Sequence, residues 1–522
     1  MYTVPSIEEM TRTAEGLGIH LTPDEAALYH RELGEALAGL DDFVQARIDE
    51  SKPEVLFGPR QPGYRPSEQE DSLNAWAWKC RIEGASEGLL AGKTVSFKDH
   101  TLVAGIPVSF GAFALEGFVP DVDATVVSRV LAAGATIVGK NTMDGLAGMP
   151  GFGQPGDYGR PLNPHNVDHL TGGSSSGSAA ALASKQVDIS FGGDQGGSIR
   201  IPAAWCGTVG LKPTFGLVSH FGIGFGSEQS IDYTGPMAMT VEDTALALQA
   251  VAGYDGMDPR QGRAVPEKVD ALTRLADGVK GLKIGLVEEG MAEPIEPDVR
   301  AAVLEAVDEL VRAGAEVRKV SIPEHLVVSE AQMALGAEGS RGIFQTGFFG
   351  AFSRTYYPPL LTEAINKLYR NQTDSLSGRT KLQYLIAEYS RRNYNGLVYA
   401  KAHNVRASYI RAYDAALAEV DILAMPTCVN TAPVYNPSSS PLEALERSIT
   451  PGLSATGTAV RNTRPFNYTG HPALAVPCGK SGGLPISLQL IGKFFDDPLL
   501  LRTAYAYQHS VDWDAMVGIA TT

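Results

Sequence analysis

Leu33, Leu37, Leu40 and Val44 recur at helical spacing within LTPDEAALYHRELGEALAGLDDFVQARI, so they line one face of an α-helix. Thr22 precedes that run as an N-cap, Pro23 takes the first helical position and Glu25 the third, which together make a capping box. The pattern predicts a long amphipathic helix. Its stripe can pack on the body of the same subunit or on another subunit. The periodicity then stops: SKPEVLFGPRQPGYRPSEQE is rich in Pro, Gly and charge and reads as a linker. We therefore expect a helical extension over 1–70 and a main body over 71–522. In the body, ATVVSRVLAAGATIVGK reads as a helix stopped at Gly134 followed by a buried strand. GLKIGLV, followed by PDVRAAVLEAVDELVRAGAEVRKVSIP, repeats the order strand, helix, strand. That alternation predicts an α/β layered core. Between about 324 and 394 the aromatic-rich GIFQTGFFGAFSRTYYPPLL has a weak strand pattern, so a mostly helical insertion is expected there. It could cover a pocket or be an ordinary packed helical subdomain.

Composition narrows the function classes. At 522 residues, with 44% hydrophobic and 20% charged positions, the chain is long enough to bury a large core. A formal net charge of -16, from 43 Lys+Arg against 59 Asp+Glu, repels phosphate backbones and anionic lipid. Nucleic acid is not an expected partner. The start, MYTVPSIEEM, has no basic stretch followed by an apolar one, and no apolar run reaches the roughly 18 residues of a membrane span. A soluble cytoplasmic protein is the expectation. Cys80, Cys206, Cys428 and Cys478 lie far apart without a CxxC pair, which suggests core thiols rather than disulfides or a zinc site.

Candidate chemistry sits in TGGSSSGSAAALA, Thr171 to Ala183. A phosphate-cradling loop would need a following Lys, and there is none; GLLAGKT has Glu87 where that motif needs Gly and reads as a turn before a strand. GSSSG formally matches a nucleophile elbow centred on Ser175, but the preceding NPHNVDHLTG is no buried strand. A third chemistry needs two more stretches. Downstream, DISFGGDQGGSIRIPAA places a strand before a glycine turn ending in Ser198; upstream, VSFKDH places Lys98 at the end of a short alternating strand.

With GTVGLKPTFGLVS, DYTGPMAMTVEDTALAL, RPFNYTGHPALAVPCG and LPISLQLIG, these stretches resemble the amidase signature family from about residue 70 to 510. The resemblance implies an α/β/α fold with a mixed central sheet. It also implies a Ser-cisSer-Lys apparatus: Ser198 as acyl-accepting nucleophile, Ser174 as bridging serine after a cis peptide bond, and Lys98 as base. Physical logic supports those roles, because a serine hydroxyl needs a neighbour to remove its proton and lysine can do so only when neutral. A buried, serine-lined pocket must therefore lower Lys98 from the ordinary value of about 10.4. Gly196 and Gly197 let the N–H groups of Gln195, Gly196, Gly197 and Ser198 converge as an oxyanion hole. Asp194 and Arg200 are expected to hold that loop, Gly173 to shape the first one and, with Met149, to belong to the oxyanion-hole and substrate-binding set, and Ser175, Ser176 and Ser178 to serve as network donors or helix-start residues.

The implied reaction is hydrolysis of a carbonyl C–N bond without metal or organic cofactor. Within the family, the N-terminal helix, GGDQGGSIRIPAAWCG and GYDGMDPRQ look most like bacterial amidases found beside nitrile hydratases, working as homodimers on small amides. Met149 and Phe152 in the loop 148–153 suggest an uncharged or aryl acyl group, and urethanes present the same bond. The alternative is a glutaminase that forms part of a glutamine-dependent amidotransferase and works in a complex. His100, where Asn is common, and Ser176, where Gly is frequent, depart from the family pattern.

Overall fold

The structure is a computed structural model that describes residues 2–147, 153–224, 228–345, 354–371, 373–394, 396–449 and 458–519. It divides into two units, Met1–Lys52 and Pro53–Thr522. The smaller unit carries helices Ile7–Gly16 and Pro23–Gln45, each opened by a capping box: Ser6 with Glu9, and Thr22 with Glu25. The stretch 53–70, grouped with the extension by its composition, is tied to the larger unit. Arg60 reaches the Asp123 carboxylate at 2.6 Å with both side chains buried, and Tyr64 bridges Lys79.

The larger unit is built on β1 (Trp76–Glu83), β2 (Thr94–Lys98), β3 (Thr136–Asn141), β4 (Ile189–Asp194), β5 (Val209–Lys212), β6 (Tyr233–Ala238), β7 (Lys283–Val287), β8 (Glu316–Val320), β9 (Ile422–Pro426), β10 (Ala473–Ser481) and β11 (Leu484–Ile491). Among the described residues these form one sheet in the order β1-β3-β2-β4-β6-β5-β10-β11-β9-β7-β8. It is mixed: β2 runs parallel to β3 and β4, and β7 parallel to β8 and β9, while the remaining pairs are antiparallel. The expected helix and strand around Gly134 are Thr125–Ala132 and β3, and the repeat after it is β7, helix Pro297–Arg312 and β8.

Alternation along the strands divides the core between two faces. Phe97 of β2 stacks on Phe191 of β4 at 5.5 Å and packs on the helices Thr125–Ala132 and Val241–Val251. The other face takes the short helices Ser176–Ala183 and Arg200–Cys206, both buried throughout. Small residues let the first of these sit tight against the sheet. A Cβ at Gly177 would lie 2.5 Å from the Ala75 carbonyl oxygen and 2.6 Å from that of Thr142. Alanine favours a helix over glycine by about 1 kcal/mol, whereas over-packing costs about 1–3 kcal/mol. Here both obstacles are backbone and cannot rotate away. Gly177→Ala should therefore destabilise the protein by about 1–2 kcal/mol, read from the midpoint of denaturant unfolding, and an unchanged midpoint would show that the helix can shift.

Between β8 and β9 the described residues form helices, Val328–Gln345, Pro359–Asn371, Gly378–Tyr394 and Leu397–Glu419. The helical stretch thus runs on past residue 394 to β9. Its residues Ser375 to Thr380 line a cavity of about 300 Å³ together with Gly111, Gly145 and Leu146.

Candidate active site

Because β2 lies between β3 and β4 and runs parallel to both, its last residue, Lys98, emerges at the same edge as Asp194, the last residue of β4. Lys98 lies on the opposite face from Phe97, beneath the helix Ser176–Ala183. It is fully buried, and its Nζ donates to Ser174 Oγ at 2.6 Å and to the Gly193 carbonyl oxygen at 3.4 Å. Burial pushes the ammonium down to about 8, overriding the opposing pull of the Asp144, Asp232 and Asp194 carboxylates.

Ser174 follows a cis peptide bond from Gly173, and the Asp144 N–H donates to its carbonyl oxygen at 3.2 Å. A side chain at Gly173 would overlap the Asp144 carboxylate, so only glycine fits there. The neighbouring serines are held in the fold. Ser175 Oγ donates to the Gly193 carbonyl at 3.2 Å and accepts from the Gly193 N–H at 3.2 Å, and Ser176 Oγ donates to Asp144 Oδ1 at 3.1 Å. Ser178 lies 3.4 Å from Asn141 Oδ1.

Ser198 joins this group through its backbone, whose carbonyl accepts from the Ser175 N–H at 3.2 Å. Its loop is fixed from below by Asp194 and Arg200, both fully buried. The guanidinium makes a two-pronged pair with the carboxylate at 2.9 and 3.0 Å, and Asp194 also accepts the N–H groups of Gly197 at 2.7 Å and Ile199 at 3.1 Å. Burial alone would raise the Asp194 carboxyl; Arg200 reverses this and holds it at about 2. From above, the Gln332 side-chain amide donates to the Gln195 carbonyl, and Thr463 Oγ1 donates to that of Gly196 at 2.7 Å. In a trans peptide the N–H points opposite the carbonyl, so holding the Gln195 carbonyl aims the Gly196 N–H the other way. Of the amides expected to converge, that of Gly197 is taken by Asp194, while among the described residues none accepts from the Gly196 or Ser198 N–H. Met149 and Phe152 lie outside the described residues.

Three residues here had no place in the sequence reading. Asp144 is fully enclosed, and burial pushes its carboxyl up to about 6 against the Gly153 N–H, Lys98 and Ser176. It sits just past the end of β3, which runs parallel to β2, and a carboxylate at that position is the signal that could have found it. Gln332 comes from the helical stretch after β8, and Arg464 opens the short helix Arg464–Thr469. His100, the departure after Lys-Asp, is fully buried and neutral, because burial and the Lys98 charge both oppose its protonation.

Residues 68–501 match the family model Amidase. The chain belongs to the amidase signature family. A relative described as enantioselective amidase, from Rhodococcus rhodochrous, is 38% identical over 458 residues, 85% of this chain and 85% of that protein. A Glutamyl-tRNA(Gln) amidotransferase subunit from Methanosarcina acetivorans is 36% identical over 491 residues, 90% of this chain and 96% of that one. Among solved structures, the native peptide amidase from Stenotrophomonas maltophilia superposes with a TM-score of 0.64 at 29% identity, covering 85% of each chain. This amidase signature chain is an amidohydrolase with the α/β fold of its relatives. Among the described residues no helix is long and apolar enough to cross a membrane.

Proposed function

We propose that this chain hydrolyses small amides by itself, through an acyl-enzyme on Ser198. The observation that carries this reading is the 2.6 Å bond from Lys98 Nζ to Ser174 Oγ in a site where burial brings the lysine down to about 8. Neutral Lys98 takes the Ser174 proton while Ser174 takes that of Ser198, whose Oγ attacks the carbonyl carbon. The oxyanion is received by the N–H groups of the Gln195–Ser198 loop, with Gly196 and Ser198 as the principal donors. The lysinium returns its proton through Ser174 to the nitrogen as the C–N bond breaks, and ammonia or amine leaves. Water then attacks the ester, gives its proton to the same relay, and frees a carboxylic acid from Ser198. Carbamates present the same carbonyl–nitrogen bond and fall within the reading.

Likeness over 96% of an amidotransferase component favours a second reading, a glutaminase working in a complex. One experiment separates the two. The purified chain, without a partner, is offered aliphatic amides, anilides, carbamates and glutamine. Turnover of simple amides supports the free-standing hydrolase, whereas release of ammonia from glutamine alone, and only with a partner, supports the complex. In the same assay Ser198→Ala should lose at least about 10³-fold and Ser175→Ala less than about tenfold. The reverse order would return the nucleophile to the GSSSG stretch.

The lysine also sets the pH profile. Below its value of about 8, protonation removes the base, so kcat/KM should climb about tenfold per pH unit and level off above 8. A flat profile down to pH 5 would remove Lys98 from the role of base.

A further inference from the structure

His325 is a buried imidazole on the turn Pro323–Leu326, outside the proton relay of Lys98 and Ser174. Both of its ring nitrogens are engaged. Nδ1 lies 2.8 Å from the Tyr413 hydroxyl, and Nε2 lies 3.0 Å from Asn462 Oδ1. The Asn462 amide decides which nitrogen carries the hydrogen. Its Nδ2 donates to the carbonyl oxygens of Gly290 at 3.0 Å and Pro426 at 2.8 Å, so turning the amide over would set its oxygen against two others. Asn462 Oδ1 is therefore an acceptor, Nε2–H donates to it, and Nδ1 accepts from the Tyr413 hydroxyl. Burial pushes His325 down to about 4, with Arg461 adding to it against Asn462 and Glu289, so the ring is neutral at neutral pH, as this arrangement requires.

What this imidazole holds converges on the loop of Ser198. Asn462 is followed by Thr463, whose hydroxyl donates to the Gly196 carbonyl at 2.7 Å. The Asn462 carbonyl accepts from Gln489 Nε2 at 2.8 Å, and Gln489 Oε1 accepts from Arg200, the partner of Asp194, at 2.8 Å. Asp194 in turn fixes the N–H groups of Gly197 and Ile199. On the other side, the turn that carries His325 leads into the helix Val328–Gln345, and Gln332 of that helix holds the Gln195 carbonyl. The carbonyls of Gln195 and Gly196 and the amide of Gly197 are thus each held by a residue that is tied, directly or through others, to His325. These parts are far apart along the chain, and the bond from Nε2 to Asn462 joins them. A buried chain of hydrogen bonds keeps one arrangement, because a broken link leaves a polar group unpaired away from water.

Resting on the amidase reading above, we propose that His325 is a positioning residue for the Gln195–Ser198 loop. Through Nε2–H it locks the turn of Asn462 and Thr463 to the start of the helix that carries Gln332, and so aims the Gly196 and Ser198 N–H groups at the oxyanion. It touches no substrate and moves no proton. Donors aimed at developing charge act on the transition state more than on bound substrate, so their misplacement lowers kcat and spares KM.

The test compares His325→Gln with His325→Asn. A glutamine amide nitrogen reaches the place of Nε2, whereas asparagine is one carbon shorter and ends near the place of Nδ1, so the first keeps the donor to Asn462 and the second loses it. With an amide that wild type turns over, His325→Gln should keep more than about a third of kcat, and His325→Asn should lose at least about 30-fold in kcat with KM within about threefold. A second readout needs no turnover. Hydrogen exchange of the peptide covering 195–199 should speed at least about tenfold in the asparagine variant, as Asp194 loosens its hold on the Gly197 and Ile199 amides, and less than about threefold in the glutamine variant. Equal kcat in the two variants, a loss confined to KM, or unchanged exchange in His325→Asn would each overturn the assignment. If His325→Asn does not fold, His325→Gln decides alone: a folded glutamine variant keeps its third of kcat if the Nε2–H is what matters and falls below it if not. A wild-type chain that hydrolyses no amide would strike the amidase reading, and the exchange rates would still decide whether His325 holds the loop.

Discussion

Lys98→Met should cut amide turnover by at least about 10³-fold while leaving the fold intact. Methionine has nearly the length of lysine and suits a site with no solvent exposure, so removing the ammonium relieves its burial cost. What is lost is the donor 2.6 Å from Ser174 Oγ and the route by which that serine passes on a proton. Lys98→Arg is the sharper control. A guanidinium keeps the charge and can keep the hydrogen bond but does not deprotonate in a protein. If the role of Lys98 is that of a base, the arginine variant is as inactive as the methionine one. Retention of more than about a tenth of wild-type kcat by Lys98→Arg would mean that charge, not proton transfer, is what the site requires.

The largest stability effect should come from Arg200→Leu. Asp194 and Arg200 are both without exposure, and Asp194 holds its charge at about 2 because Arg200 outweighs the effect of burial. Removing one partner of a buried pair costs about 3–5 kcal/mol. The Gly197 and Ile199 amides and Asn467 Nδ2 remain on Asp194, which places the expectation at the lower end. Denaturant unfolding should show the loss, and a shift below about 1 kcal/mol would mean the carboxylate had found another partner. The pH sign follows from the depressed carboxyl. The pair's contribution is complete above the unfolded carboxyl value and is lost as pH falls towards about 2, so wild type should gain nothing on mild acidification, whereas the leucine variant should recover stability as Asp194 takes up a proton.

How much of this was legible in the sequence depends on the range of each constraint. The two glycine-serine blocks carried the family resemblance, and the glycines of the first answer to local backbone crowding. Gly173 faces the Asp144 carboxylate and Gly177 faces two carbonyls, and those requirements leave a spelling. The strand pattern placed Lys98 at the end of β2, whereas its proposed role came from the resemblance. The helix and strand around Gly134 and the β7 to β8 repeat were legible for the same local reason. Gln332 carries no such mark, and Asp144 only its place just past β3: the meaning of each comes from a neighbour far away along the chain. The sheet order was hidden likewise, since nothing in β10 or β11 says that they lie between β5 and β9. The Gly197 amide shows the remaining gap. A glycine turn shows that N–H groups can converge, but which of them meets Asp194 is decided by the folded loop.

The Ser198 loop is locked from the far end of the chain. Arg200 Nη1 donates to Gln489 Oε1 at 2.8 Å, and Asn467 Nδ2 donates to the Asp194 carbonyl at 2.7 Å. During synthesis the serine blocks emerge early and wait for these residues. A nascent chain that has not reached Gln489 lacks a partner that orients Arg200, so the loop carrying Ser198, the proposed nucleophile, gains its full support only after β11 has been made.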